Sequence, residues 1–197
     1  MKILCIIPAR SGSKGIKNKN LKIIYKKKTL IEFAYDIALK SKLFSKIIVS
    51  TDSPKYQRYL KTKKINLNFL RPKRLSGDNA DDLSLIKFEL KRYSKFFNIK
   101  FDGVCLLQPT SPVRKINDLR ECFNLMNKRK LDAVWTISEI DKKFHPIKIL
   151  KIQKKYLNYF SNNGSSFTSR QNLDKCYIRN GLAYFFSKKA IEKYNTI

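Results

Sequence analysis

At 197 residues with 43% hydrophobic content, the chain is long enough to bury one substantial core, which excludes a disordered polypeptide and makes a single α/β domain the expectation. Its formal net charge of +28, from 43 Lys and Arg against 15 Asp and Glu, would ordinarily point to nucleic acid or an anionic surface. The excess is mostly lysine scattered along the chain, a run such as Tyr25-Lys26-Lys27-Lys28 builds no basic face, and no stretch nears the roughly 20 apolar residues of a membrane span, so neither nucleic acid nor membrane is expected as a partner.

The first element is an apolar strand, Lys2 to Ile7, that empties into the loop Pro8 to Asn20. A helix follows over Thr29 to Lys40, with Leu30, Ile31, Phe33, Ala34, Ile37 and Ala38 on one stripe and Thr29 and Glu32 spaced as a capping box. Strand-like runs recur at Ser45 to Ser50, Asn66 to Leu70, Phe101 to Leu107 and Ala133 to Ile137. Helical periodicity fills the gaps at Pro54 to Lys63, Leu83 to Phe96 and Asn117 to Asn127. Such alternation predicts βαβ units in a mostly parallel sheet flanked by helices. Because the strands are continuously apolar, both sheet faces should be buried and function should sit in the loops at the strands' carboxyl ends. Those loops are 8–20, 51–53, 71–82 and 108–114.

After Ile140 the pattern changes to an alternating stretch, Lys148 to Phe160, and a polar run, Ser161 to Ser166, which predict an inserted hairpin arm. A strand over Asn180 to Phe186 and a short helix, Lys188 to Tyr194, then complete the chain. The expected divisions are a core over 1–140, an arm over 141–180 and a return to the core over 181–197.

In the first loop, Gly12 and Gly15 let the backbone approach a ligand closely, and Arg10, Lys14 and Lys19 supply cations where a polyphosphate could lie. The residues match neither Gly-x-x-x-x-Gly-Lys-Ser/Thr nor Gly-x-Gly-x-x-Gly, so a third kind of nucleotide loop is implied. Asp78, Asp81 and Asp82 have the spacing for a hard cation, but an aspartate at 81 or 82 serves equally as the cap of the next helix. Cys5, Cys105, Cys122 and Cys176 lie far apart with one histidine, His145, so no zinc site is expected. Two of them sit in apolar strands, which fits a reducing compartment, the cytoplasm. His145 precedes a proline and reads as structural.

Taken in order, these loops resemble the acylneuraminate (sialic or nonulosonic acid) cytidylyltransferases. The resemblance rests on Ile7-Pro8-Ala9-Arg10-Ser11-Gly12-Ser13-Lys14-Gly15 with Lys19-Asn20-Leu21, on Ile47 to Asp52, on Leu70-Arg71-Pro72, and on Leu106-Leu107-Gln108-Pro109-Thr110-Ser111-Pro112-Val113-Arg114. It resumes at His145 to Lys148, Arg170-Gln171 and Asn180-Gly181. It implies a Rossmann-like fold whose small arm exchanges across a homodimer, with CTP and an acidic nine-carbon sugar as substrates. By the same resemblance, Ala9, Arg10, Ser13, Lys14, Gly15, Lys19, Asn20 and Arg71 would hold the nucleotide, with Arg10, Lys19 and Gln108 catalytic. Gln108, Lys148, Arg170, Asn180, Tyr184 and Phe185 would face the sugar.

Two departures from the family pattern carry expectations of their own. The family continues beyond the counterpart of Ile197 to a Ser-x-Asp-x-Asp-like segment that holds catalytic Mg²⁺. The metal ligands are therefore expected outside these residues, and weak or no activity is expected of them alone. Ile178 also stands where the family often has arginine, with Arg179 following. The competing expectation is a non-catalytic CTP-binding or assembly protein of the same family.

Overall fold

The computed structural model describes all residues from 1 to 197 except Lys14, Asn66, Phe167, Thr168, Arg170 and Asn172. In chain order the elements are β1 (Ile3–Pro8), β2 (Ile23–Tyr25), β3 (Lys28–Thr29), α1 (Leu30–Ser41), β4 (Lys46–Ser50), α2 (Pro54–Thr62), α3 (Asp82–Phe97) and β5 (Gly103–Leu106). They continue with α4 (Ile116–Arg129), β6 (Ala133–Glu139), β7 (Leu150–Gln153), β8 (Tyr156–Tyr159), β9 (Tyr177–Ser187) and α5 (Lys188–Glu192). The main sheet has the order β4-β1-β5-β9-β6. β1 lies parallel to both β4 and β5, while β9 runs antiparallel to β5, with Val104 opposite Phe186 and Leu106 opposite Tyr184. Ser187 N–H donates to Asp132 O and Ala183 N–H to Thr136 Oγ1, so β9 is antiparallel to β6 as well. The sheet is thus mostly parallel, with one reversed strand.

Residues Ile3 to Ile7 are fully buried, as a central strand with helices on both faces requires. One face packs Ile31, Ala34 and Ala38 of α1, Tyr56 and Leu60 of α2, and Leu119 and Met126 of α4. The other packs Ile86, Leu90 and Tyr93 of α3 and Ile191 of α5. Along β9 the period-2 geometry sends Ala183 and Phe185 to the first face and Tyr184 and Phe186 to the second. The Thr29–Glu32 capping box forms as the sequence predicts, with Thr29 N–H donating to Glu32 Oε2 at 2.9 Å.

The strand expected over 66–70 is not made. Leu67 packs against the first face and Phe69 against the second, whereas residues two apart in a strand would share a face, so the segment lacks strand geometry as well as strand pairing. The described residues 67–70 join no ladder; a backbone bond from Arg71 N–H to Thr51 O, 2.7 Å, ties the segment's end to the loop after β4, and Arg92 donates to Leu70 O at 3.1 Å. Asn66 lies outside the described residues.

The chain forms two compact units, one of residues 1–136 with 181–197 and one of residues 137–180. In the second, β7 and β8 form a hairpin with Leu150 opposite Tyr159 and Gln153 opposite Tyr156. Lys154 and Lys155 make its two-residue turn at φ of 50° and 71°, the left-handed geometry that matches the twist of paired strands. His145 is structural there: its Nδ1 accepts from Ile147 N–H at 3.2 Å. Among the described residues no helix is long and apolar enough to cross a membrane.

Candidate active site

The chain leaves β1 for β4 on one side and returns from β4 to β5 on the other side of β1, so the strand order reverses at the β1/β5 boundary, the switch point where open α/β sheets bind ligands. A cavity of about 330 Å³ lies there. The loop after β1 supplies Pro8, Arg10, Ser13, Lys19 and Asn20 to its wall, and the loop after β5 supplies Gln108, Pro109 and Thr110. Residues 71–85 close the third side with Arg71, Gly77, Asp78, Asp81 and Asp82 among others.

The first loop is held by polar anchors distant in sequence. Asp52 accepts from Ser11 N–H at 2.9 Å and from Ser11 Oγ at 3.0 Å, so one carboxylate orients the turn after Arg10. Asn20, buried in a short 3₁₀ turn, donates from Nδ2 to Arg10 O at 3.2 Å. Arg10 itself reaches across the cavity, donating to Gly77 O at 3.1 Å and pairing with Asp78 Oδ1 at 3.0 Å. Both side chains of this pair remain substantially exposed, at 38% and 47%. A Cβ placed on Gly12 or Gly15 would meet no atom within 4 Å, so the chain's own packing does not demand glycine at either position.

Arg71 lies in the floor of the cavity, buried. Its Nε donates to Ser50 Oγ at 3.0 Å, one terminal nitrogen donates to Ser50 O and the other to Leu75 O at 3.3 Å. Ser50 Oγ in turn donates to Glu89 Oε1 at 2.6 Å, and Arg92 pairs with the same fully buried carboxylate. Burial lowers the Arg71 pKa, with Glu89 and Asp52 working against that shift.

Asp81 is the N-cap of α3. It accepts from Ser84 N–H at 2.7 Å, and that backbone bond is the main reason its carboxyl sits below its ordinary range. With Asp81 in the cap and Asp78 on Arg10, the described residues do not fit a Mg²⁺ site. Among the described residues no group of three or more His, Cys, Asp and Glu could hold a metal ion.

Several sequence expectations require correction. Phe185 is fully buried between Phe44 and Phe123 and cannot face a sugar. Tyr184 is also buried, against Trp135, and its hydroxyl accepts from Gly181 N–H at 2.7 Å, which makes it a support of the turn and not a ligand contact. Ala9 buries its methyl in the core while its N–H donates to Ser50 O at 2.8 Å, leaving no side chain for a nucleotide. Gly15 is exposed and stands outside the cavity wall. Lys148 and Asn180 belong to the unit of residues 137–180, where Asn180 Nδ2 donates to Ser138 Oγ at 3.1 Å. Lys14 and Arg170 lie outside the described residues.

Sequence reasoning assigned no role to Asp52 or Arg114, and weighed Asp78 as a cation ligand, not as a partner of Arg10. For Asp52 a signal existed in its place directly after a strand. The other two become visible only when loops about seventy residues apart meet.

Comparison with known proteins gives a consistent result. Residues 4–197 match the family described as Cytidylyltransferase. An N-acylneuraminate cytidylyltransferase of Escherichia coli is 30% identical over 201 residues, covering 98% of this chain and 46% of the relative, so the chain spans about half the length of that protein. A pseudaminic acid cytidylyltransferase of Campylobacter jejuni is 29% identical, covering 96% of this chain and 80% of the relative. The solved structure of a CMP:2-keto-3-deoxy-manno-octonic acid synthetase complexed with CTP superposes with a TM-score of 0.71 at 18% identity, over 99% of this chain and 78% of that one. At that identity it is a likeness of fold. The chain belongs to the cytidylyltransferase family.

Proposed function

We propose that this member of the cytidylyltransferase family transfers the cytidylyl group of CTP to an acidic nine-carbon sugar, sialic acid or a relative such as pseudaminic acid, releasing pyrophosphate. The observation that carries the reading is the switch-point cavity, with Arg10, Lys19 and Asn20 on one wall and Gln108 on the other. The names of the two curated relatives support the substrate class.

In this reading the sugar's anomeric hydroxyl attacks the α-phosphorus. The new O–P bond forms as the bond to the pyrophosphate oxygen breaks, and the hydroxyl proton passes to solvent. Negative charge grows on the equatorial oxygens and on the departing pyrophosphate, where cations fixed in advance stabilise the transition state more than mobile ions do. Lys19 and Arg10 take that role, Arg10 exchanging Asp78 for a phosphate oxygen. Gln108, with both donor and acceptor in one carboxamide, suits a polyhydroxy acid. Because the residues present do not fit Mg²⁺, no step is routed through it.

We further infer a cytoplasmic homodimer. The exposed apolar side chains of the hairpin unit, Ile152 at 78%, Leu157 at 70% and Phe160 at 64%, support pairing with a second copy, since such a cluster is costly to leave in water. Pyrophosphate release from the purified chain, measured with each of the four nucleoside triphosphates and with N-acetylneuraminate, pseudaminate and an eight-carbon keto acid sugar, tests the reaction. CTP-selective release with a nine-carbon acid is expected, at a weak level for these residues alone. Release only with the eight-carbon sugar, or CTP binding without turnover on any sugar, would overturn it.

A further inference from the structure

The buried guanidinium beneath the loop after β5 is unlike the other arginines of the site. Arg114 is 8% exposed and, among the described residues, donates only to backbone carbonyls: Nε to Leu182 O, and one terminal nitrogen to Gln108 O and to Gly181 O, the latter at 3.0 Å. Among the described residues its other terminal nitrogen has no partner. Burial depresses its pKa to about 10, and the groups working against that shift are the neighbouring thiols of Cys105 and Cys5. Burial pushes the Cys105 thiol well up, so it stays protonated and offers no counter-charge. A buried cation without a carboxylate is expensive, and its cost is offset here by three carbonyls from two segments about seventy residues apart in sequence.

Those segments are the ones that shape the Gln108 wall. Gly181 sits at φ +74°, and a Cβ there would come within 2.7 Å of Ser111 Oγ and 2.9 Å of Gln108 Oε1. The Gln108 carboxamide therefore rests against the Gly181 backbone, in space that only glycine leaves free. Tyr184 Oη fixes the same turn from its N–H side. Gln108 O also accepts from Ser111 N–H at 3.2 Å, which closes the loop upon itself.

We propose that Arg114 is a positioning residue for the transfer reaction: by tying the carbonyls of Gln108, Gly181 and Leu182 together, it sets the Gln108 side chain at the cavity wall where the acid sugar is received. This rests on the cytidylyl-transfer reading above. It assigns Arg114 to the sugar side of the reaction alone, with no part in holding the nucleotide.

The test uses the whole chain with Arg114→Ala, Arg114→Lys, Gln108→Ala and the double variant Gln108→Ala/Arg114→Ala. Pyrophosphate release gives kcat and KM for each substrate, and CTP affinity is read separately by thermal shift. Arg114→Ala is expected to lower kcat/KM for the acid sugar about 100-fold, the scale of a small misplacement of a contact group, while CTP affinity stays within about threefold. Added guanidinium ion should restore part of the loss, and the double variant should be no worse than Gln108→Ala, because the two residues act as one unit. Arg114→Lys keeps the charge but cannot bridge three carbonyls, so it should fold even if the alanine variant does not, and should still lose at least about tenfold on the sugar.

Amide hydrogen exchange supplies a readout independent of turnover. Faster exchange confined to residues 108–114 and 181–184 in Arg114→Lys is expected. Equal losses toward CTP and sugar, additive losses in the double variant, or unchanged exchange in those two segments would overturn the proposal. Absence of turnover by the unmodified chain would instead count against the transfer reading, and the exchange data would then decide by themselves whether Arg114 holds the two segments.

Discussion

Arg71 and Arg10 both border the same cavity, yet one is built into the floor and the other lies across the mouth. Arg71 is buried, and each of its nitrogens that donates does so to a fixed protein oxygen of Ser50 or Leu75, beside the buried Glu89. Arg10 is half exposed and meets one carbonyl and one solvent-facing carboxylate. The same guanidinium is thus a structural part in one place and an exchangeable contact in the other. Burial decides between them, because a charge in the interior is immobilised by the cost of leaving its partners, whereas an exposed pair is worth little and changes partners readily.

The largest effect expected from breaking this contrast is on stability. Arg71→Leu leaves buried oxygens of Ser50 and Leu75 short of donors and removes a cation from beside buried Glu89, and is expected to cost about 3–5 kcal/mol in urea unfolding. A loss below about 1 kcal/mol would place Arg71 in the same class as exposed surface arginines. Arg10→Ala should show the inverse profile. Its stability should stay within about 0.5 kcal/mol of the parent while kcat/KM for pyrophosphate release falls about 100- to 1,000-fold.

A smaller effect separates Arg10 from its present partner. Asp78→Asn is expected to tighten CTP about two- to fivefold, the worth of one exposed ion pair that the triphosphate no longer has to displace. That gain should shrink as salt is raised, since solvent-exposed charges are screened; weaker CTP binding by the variant would show that Asp78 supports the nucleotide directly. The smallest effect concerns pH. Asp81 titrates below its ordinary range in the folded chain, so its contribution is fully present above its unfolded value and is lost as pH falls through the lowered folded value. Asp81→Asn keeps an N-cap without the charge, and should flatten that part of the stability decline as pH falls through and below the ordinary carboxylate range.

Much of this architecture is legible in the residues. The helix over 82–97 was expected within one residue at each end, because its apolar spacing and the Asp81 cap are local signals. The hairpin arm is readable from alternation over 148–160, although its turn residues, Lys154 and Lys155, are not the Asn-Gly or Gly-rich pairs that usually announce one. The failed strand at 67–70 shows the limit of such patterns: an apolar run records that its side chains will be buried, and says nothing about whether a neighbouring backbone is there to pair with.

The composition of the loops determined that this chain has a basic, glycine-containing loop at the end of its first strand, and their order determined the family it resembles. Only the tertiary structure decided what each charged or aromatic residue in those loops does. Tyr184 and Phe185 stand side by side in sequence, but strand geometry buries them on opposite faces of the sheet and removes both from the sugar. Arg10, Arg71 and Arg114 are all loop arginines to a reader of the sequence. Their partners, Asp78, Ser50 and the carbonyls of residues 108, 181 and 182, are brought to them by the order of strands in the sheet. Burial and partner distance are properties of that long-range arrangement, and they separate a cation that can meet a phosphate from one that holds the fold.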